Sequence, residues 1–334
     1  MKRFFDNWRL ITMGGVVLGS FIVSSYLYKD FRGFREYEVP GSVELAVQKG
    51  WGIQKTAHEL AQLGIVSSPT WFVLLGVVRD SILFQAGYYR FEKGMRVDAI
   101  LDRLRRGDVA KGKLVIAEGL TLREVADHLK KKDLLEAAMA VADPGLPARL
   151  GLEAHSLEGF LFPNTYYYRI KDPKDDIILR MVTQGKKVLD QEWMTRPPGY
   201  TLSIYETLII ASMIEKETGN AAERPHVSGV FHNRLRRKMK LQSDPTVVYG
   251  IPNFMGSLTR AQLLAPTPYN TYTIPGLPPT PICNPGRASI HAALHPEESE
   301  DLYFVSRGDG THIFSRNLSE HNKNVVRFQH PGGR

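Results

Sequence analysis

Cysteine is almost missing from this chain. Cys283 stands alone among 334 residues, which excludes an internal disulfide and any cysteine-rich zinc site. It lies in Thr-Pro-Ile-Cys-Asn-Pro (280–285) with no nucleophilic context, so it is expected to pack in a loop. A third metal ligand is also missing beside His291 and His295, whose i, i+4 spacing suits last-turn or surface histidines, and no metal is expected. No nucleic-acid-binding motif accompanies the formal charge of +8 and pI near 9.4. The basic balance therefore points to anionic lipid, an anionic wall polymer or simply a solvated surface, with no nucleic-acid partner. Disorder is not expected either: 43% of the residues are hydrophobic, and the length accommodates two domains and a sizeable core.

Charge is wholly missing from residues 10–28. That run approaches the about 20 residues that cross a bilayer. It is longer than a usual signal-peptide core, and Ser24 and Ser25 make only a weak cleavage site, so an uncleaved anchor is expected after a tail of residues 1–9. Lys2, Arg3 and Arg9 on one side face Lys29, Arg32 and Arg35 on the other, and the charge rule leaves orientation open.

What is present begins with the stretch at 203–219. Ser203 and Glu206 form a capping-box pair, and Gly219 is placed to end the helix in a left-handed turn. Between them Ile204, Leu208, Ile209, Ile210, Ala211, Met213 and Ile214 make a rod apolar nearly all round, the pattern of a buried helix. Glu217 continues the stripe of Ile210, Met213 and Ile214, whereas Glu215 continues that of Ile204, Leu208 and Ala211. The two acids point to nearly opposite sides and are not a pair. A carboxyl at the end of a buried stripe is desolvated, which raises its pKa and makes a general acid available near neutrality. An exposed last-turn Glu, or one paired with Arg224 or Arg234, satisfies the same pattern.

Upstream, three triplets share i, i+4, i+7 spacing: Ile53, Ala57 and Leu60; Val97, Leu101 and Leu104; Leu122, Ala126 and Leu129. Each follows a glycine, namely Gly52, Gly94 and Gly119. Segments 86–91 and 113–117 read as strands, giving a small α+β module over residues 39–135. The breaker-rich stretch 143–147 suggests a loose boundary. Segment 157–168 then brings Glu158, Asn164 and five aromatics close together, which suits either pyranose faces or a core. The Pro- and Gly-rich stretch 252–296 reads as a functional loop whose best sugar contacts are Tyr269, Asn270, Thr271 and Tyr272. Segments 302–305 and 311–314 flank Arg-Gly-Asp-Gly (307–310) as a hairpin, and His321 to Asn324 close the domain before a short disordered tail.

Five ordered motifs carry a family resemblance: Glu-Lys-Glu-Thr (215–218), Phe-His-Asn-Arg-Leu (231–235), Leu-Gln-Ser-Asp-Pro-Thr (241–246), Thr-Pro-Tyr-Asn-Thr-Tyr (267–272) and Gly-Leu-Pro-Pro (276–279). Together they resemble the YceG/MltG family of endolytic murein transglycosylases. The resemblance implies an α+β protein with a single N-terminal transmembrane helix, a LysM-like module and a larger catalytic domain at residues 150–325. It implies a cytoplasmic N-terminus, an inner-membrane location with the catalytic domain on the periplasmic side, and penicillin-binding synthases as protein partners. The implied reaction cuts peptidoglycan strands between N-acetylmuramic acid and N-acetylglucosamine. It leaves 1,6-anhydro ends, serves wall assembly and strand length, and needs no cofactor. Glu217 is the implied catalytic residue, first acid and then base. Glu158, Asn233, Gln242, Ser243, Asp244, Thr246, Tyr269, Asn270 and Tyr272 form the expected substrate-binding set, with Arg234 and Glu223 behind them. The family usually carries Asp where Asn164 stands, so that position takes no catalytic role. Two rivals remain: a water-using muramidase with Glu223 or Asp244 as second carboxylate, and a non-catalytic wall-binding scaffold.

Overall fold

The computed structural model describes residues 2–170 and 176–329, with side chains described from 18 to 170 and from 176 to 328. The chain mixes α and β structure and divides into two compact units, one of residues 1–112 with 168–175, the other of residues 113–167 with 176–334.

In the first unit, α1 (Lys2–Glu36) precedes β1 (Val43–Val47), α2 (Ile53–Gln62), α3 (Pro69–Val78), β2 (Gly87–Phe91) and α4 (Val97–Arg106). Strands β1 and β2 pair antiparallel, with Leu45 opposite Tyr89 and Val43 opposite Phe91. Strand alternation turns Leu45, Val47, Tyr89 and Phe91 inward, where the apolar stripes of α2 and α4 cover them. The first two triplets are indeed these stripes, with Ile53, Ala57 and Leu60 on α2 and Val97, Leu101 and Leu104 on α4. Gly76 permits a close approach on α3, since a Cβ there would stand 2.0 Å from Ile53 Cδ1. The C-terminal turns of α1 join this core: Phe34 is 2% exposed, Phe31 packs 5.0 Å from Trp71, and Trp71 Nε1 donates to Asp30.

Farther up α1, Leu18, Phe21, Ile22, Val23, Tyr26, Leu27 and Tyr28 are exposed. Among the described residues no helix is long and apolar enough to cross a membrane. The expected segment 10–28 begins with residues 10–17, whose side chains lie outside the described ones; the disordered tail expected after Asn324 is instead helical as far as Gln329, and residues 330–334 lie outside the described ones.

The second unit takes most of β3 (Lys111–Ile116) and of β4 (Asn164–Arg169), which pair with each other, and between them α5 (Leu122–Lys130), α6 (Leu135–Val141) and α7 (Leu146–Arg149). The third triplet, on α5, therefore belongs to this unit, and the stretch 143–147 lies inside it. Helices α8 (Ile177–Trp193), α9 (Ile204–Glu217), α10 (Arg224–Arg236), α11 (Asp244–Tyr249), α12 (Arg260–Leu264) and α13 (Arg287–Leu294) follow. Strands β5 (Tyr303–Ser306) and β6 (His312–Ser315) form the expected hairpin, in the register Phe304 to Phe314, and α14 (Leu318–Gln329) comes last. Helix α9 is the centre of the unit: Thr207 to Ile214 are all buried, against α13, α10 and α11. Gly229 lets α10 meet the backbone of Glu297, whose carbonyl oxygen would lie 2.5 Å from an added Cβ.

Candidate active site

The capping box that starts α9 is complete, with Ser203 Oγ accepting from the Glu206 amide and the Glu206 carboxylate accepting from the Ser203 amide. The other end departs from expectation. Gly219 is not left-handed; the helix stops at Glu217 because Thr218 turns extended, with φ −136° and ψ 128°, and its Oγ1 accepts from the Asn220 amide. That side chain-to-backbone bond fixes the path of the chain as it leaves the helix.

The two acids of the last turn part company. Glu215 accepts from the Gly286 amide at 3.0 Å and faces Arg224 Nη2 at 3.5 Å, a buried tie between α9, α10 and the start of α13. Glu217 emerges into a cleft of about 740 Å³, and Ser243 Oγ donates to its Oε1 at 2.5 Å. Burial of the Glu217 carboxyl outweighs that hydrogen bond and the nearby Arg234 charge, and the Asp244 carboxylate pushes in the same direction as burial. The Glu217 pKa is raised to about 7.

A short turn presents Ser243. The Gln242 amide donates to Thr271 O, the Ser243 amide donates to Thr271 Oγ1, and Thr246 Oγ1 donates to Ser243 O. Gln242 itself takes φ 51°, a left-handed conformation uncommon outside glycine that these bonds hold in place. Arg234 closes the back of the cleft: Nε donates to Leu302 O, and Nη1 donates to Leu241 O and Gln242 Oε1. The Tyr303 ring lies 5.0 Å from its guanidinium.

The nine expected contact residues fall into three groups. Gln242, Asp244 and Tyr272 line the Glu217 cleft, where Tyr272 Oη donates to Asp244 Oδ1 at 2.6 Å, while Ser243 reaches it through Glu217. Glu158 and Tyr269, again with Asp244, line a separate cavity of about 780 Å³. Glu158 is 1% exposed; it accepts from the Leu122 amide at 2.9 Å and from Tyr249 Oη at 2.9 Å, and burial raises its pKa to about 7 as well. Asn233, Thr246 and Asn270 line neither space. Asn233 donates to Ser299 O and Asp301 O, and Asn270 gathers the carbonyls of Gln262, Leu263 and Ala265 around its amide. All three are buried, and their hydrogen-bonding groups are taken up within the protein, mostly by backbone and also by Thr271 Oγ1 for Thr246 and Arg236 for Asn233.

Of the supporting pair, Glu223 is not in the lining of the cleft but stands behind its His312, accepting from the His312 amide and pairing with His312 Nδ1 at 2.7 Å. His291 pairs with Glu192 and stacks on His295. No group of His, Cys, Asp or Glu among the described residues has the arrangement of a metal site. Cys283 is buried, and its Sγ donates to Ser212 O.

The cleft also takes Tyr303, His312, His321 and Asn322 from the hairpin and α14, which the motifs present only as closing architecture. His321 stacks on Tyr303 at 5.1 Å, and its Nδ1 is buried without a hydrogen-bond partner. Tyr303, His312 and His321 stand nine residues apart in the sequence, and no local pattern there marks this wall.

Comparison with known proteins places this geometry in a lineage. The endolytic murein transglycosylase of Bacillus subtilis (strain 168) is 31% identical over 301 residues, which are 84% of this chain and 83% of that protein. The protein of the same name from Streptococcus pneumoniae serotype 2 is 27% identical over 95% of this chain, and the chain spans 63% of its length. The crystal structure of a yceG-like protein from Listeria monocytogenes is similar with a TM-score of 0.55 and 30% identity, covering 84% of this chain and 98% of that one. The model of the YceG-like family matches residues 45–327, and the chain belongs to that family.

Proposed function

We propose that this protein is an endolytic peptidoglycan transglycosylase that cuts glycan strands between N-acetylmuramic acid and N-acetylglucosamine. The observation that carries the reading is Glu217: a carboxyl at the end of a buried helix, opening into a cleft, with its pKa raised to about 7. The names of the Bacillus and Streptococcus relatives support the same activity.

Protonated Glu217 gives its proton to the glycosidic oxygen, and the bond from that oxygen to C1 of the muramic acid breaks. The C6 hydroxyl of the same sugar closes on C1, and its proton passes to the Glu217 carboxylate. The products are a 1,6-anhydro end and a free hydroxyl on the departing strand, without water. Ser243 and Arg234 stabilise the ionised stage of Glu217, while Asp244 opposes it and so favours return of the proton. This alternation needs one carboxyl group and no cofactor.

Residues 10–28 are proposed to anchor the chain in the inner membrane with the catalytic unit on the periplasmic side; the exposed apolar side chains from Leu18 to Tyr28 support this. Residues 39–135 are proposed as the LysM-like module of the family, as a glycan binder or a spacer. Penicillin-binding synthases are the proposed protein partners near the membrane.

Digestion of purified strands tests the reading by mass spectrometry. Anhydro ends support it. Reducing ends would instead make Asp244, on the wall of the same cleft, the second carboxylate of a muramidase. Binding with no cleavage product would leave only a scaffold.

A further inference from the structure

The cavity around Glu158 is not needed for the chemistry at Glu217, yet it has the composition of a sugar site. Its wall is largely apolar and aromatic, built from Pro245, Val248, Tyr249, Phe254, Tyr269 and Ile282. Tyr249 and Tyr269 meet at 4.9 Å and 62°, and both phenols are tied down, Tyr249 to Glu158 and Tyr269 to Thr280. Rings fixed in this way offer a preorganised apolar platform at low entropic cost. Arg123 and Lys216 line the cavity together with Glu124, Glu158 and Asp244, so its rim carries polar groups of both signs around the apolar rings. Its volume of about 780 Å³ lies in the range of ligand sites.

Asp244 is a wall of this cavity and of the Glu217 cleft alike, so the two spaces adjoin across one residue. We propose that the cavity of Tyr249, Phe254 and Tyr269 is a second station for the same glycan strand, holding pyranose rings beyond the bond that is cut. This inference rests on the transglycosylase reading and deepens it: an enzyme that cuts inside a strand holds sugars on both sides of the cut, and binding energy from remote sugars orients the reacting ones. Glu158 is a positioning residue here. Its carboxyl joins the first amide of α5 to the Tyr249 phenol and does not meet the sugar itself.

The test uses the full chain carrying Glu217→Gln, so that strands bind without being cut, with Phe254→Ala or Val248→Trp added. Calorimetry compares a single N-acetylglucosaminyl–N-acetylmuramic acid disaccharide with an oligomer of several disaccharides. Loss of one stacking face weakens the oligomer by roughly three- to tenfold. Filling the cavity with Trp weakens it at least as much, and the single disaccharide binds unchanged. Hydrogen exchange across residues 245–254 in the chain without the cavity substitutions gives a readout that survives any folding failure of the variants: it slows with the oligomer and not with the disaccharide. Unchanged oligomer affinity in folded variants, or no slowing of exchange, overturns the second station. Turnover of the unsubstituted enzyme is scored separately, so absence of cleavage counts against the transglycosylase reading and not against this cavity.

Discussion

Ser243 Oγ donates to Glu217 Oε1 across 2.5 Å, joining the end of the buried helix α9 to the turn before α11. That bond favours the carboxylate, whereas the Asp244 charge favours the acid. Ser243→Ala is therefore expected to move the alkaline limb of the pH–rate profile upward, by up to about one unit. Asp244→Asn should move it downward by less than that. Shifts in the same direction in both variants would remove Glu217 as the titrating acid.

Glu217→Gln should abolish product formation and leave a folded protein, since the amide keeps the shape but has no proton to deliver. Glu215→Gln should behave in the opposite way. Its carboxylate ties Gly286 to Arg224, so the cost is about 1–3 kcal/mol of stability, with turnover within a few-fold of normal. Activities and urea midpoints of both variants check the assignment.

Stability itself should fall as pH rises. The Glu158 and Glu217 carboxyls are both held by burial at about 7, above the ordinary glutamate value of about 4.5. The folded chain therefore binds more protons than the unfolded one between these limits. Each contribution is fully present below about 4.5 and lost as pH climbs through about 7, of order 1–3 kcal/mol apiece. Glu158→Gln and Glu217→Gln should each flatten the slope of unfolding free energy between pH 5 and 7, and a slope unchanged in both variants would contradict the burial of these carboxyls.

Arg234 holds four oxygens with one planar guanidinium, those of Leu302, Lys240, Leu241 and Gln242. Arg234→Lys keeps the charge but not the fork, leaving at least one buried carbonyl unpaired at about 1–3 kcal/mol. The variant should melt lower and turn over more slowly, and a melting temperature equal to the parent's would show that the lysine reaches the same carbonyls.

Release from the proposed membrane anchor depends on where the chain is cut. Phe31 and Phe34 pack on the first unit, and Arg35 pairs with Asp98. A protein beginning at residue 29 should be soluble, folded and active on isolated strands. One beginning at residue 38 loses Phe34 from the core, at about 3–5 kcal/mol for that unit. Circular dichroism melts of the two truncations, beside digestion of isolated strands, measure the difference. Inactivity of the folded, longer truncation would assign residues before 29 a part in the site itself.

Sequence by itself determined the buried helix α9, its capping box, and the divergence of Glu215 from Glu217, because helical period and local hydrogen bonding are written within a few residues of one another. The same local logic found the stripes of α2 and α4 and the β5–β6 hairpin. Only the tertiary structure decided that Glu158 and Glu217 sit in separate spaces that share Asp244. It also decided that Asn233, Thr246 and Asn270 are bonded within the protein, and that Tyr303 and His321 complete the cleft. Periodicity says which face of an element is buried and which residue ends it, but the neighbour that covers that face comes from chain segments tens of residues away. A polar side chain in a motif can bond equally well to a substrate or to a carbonyl, and the choice follows from which of them the packed chain brings within 3 Å.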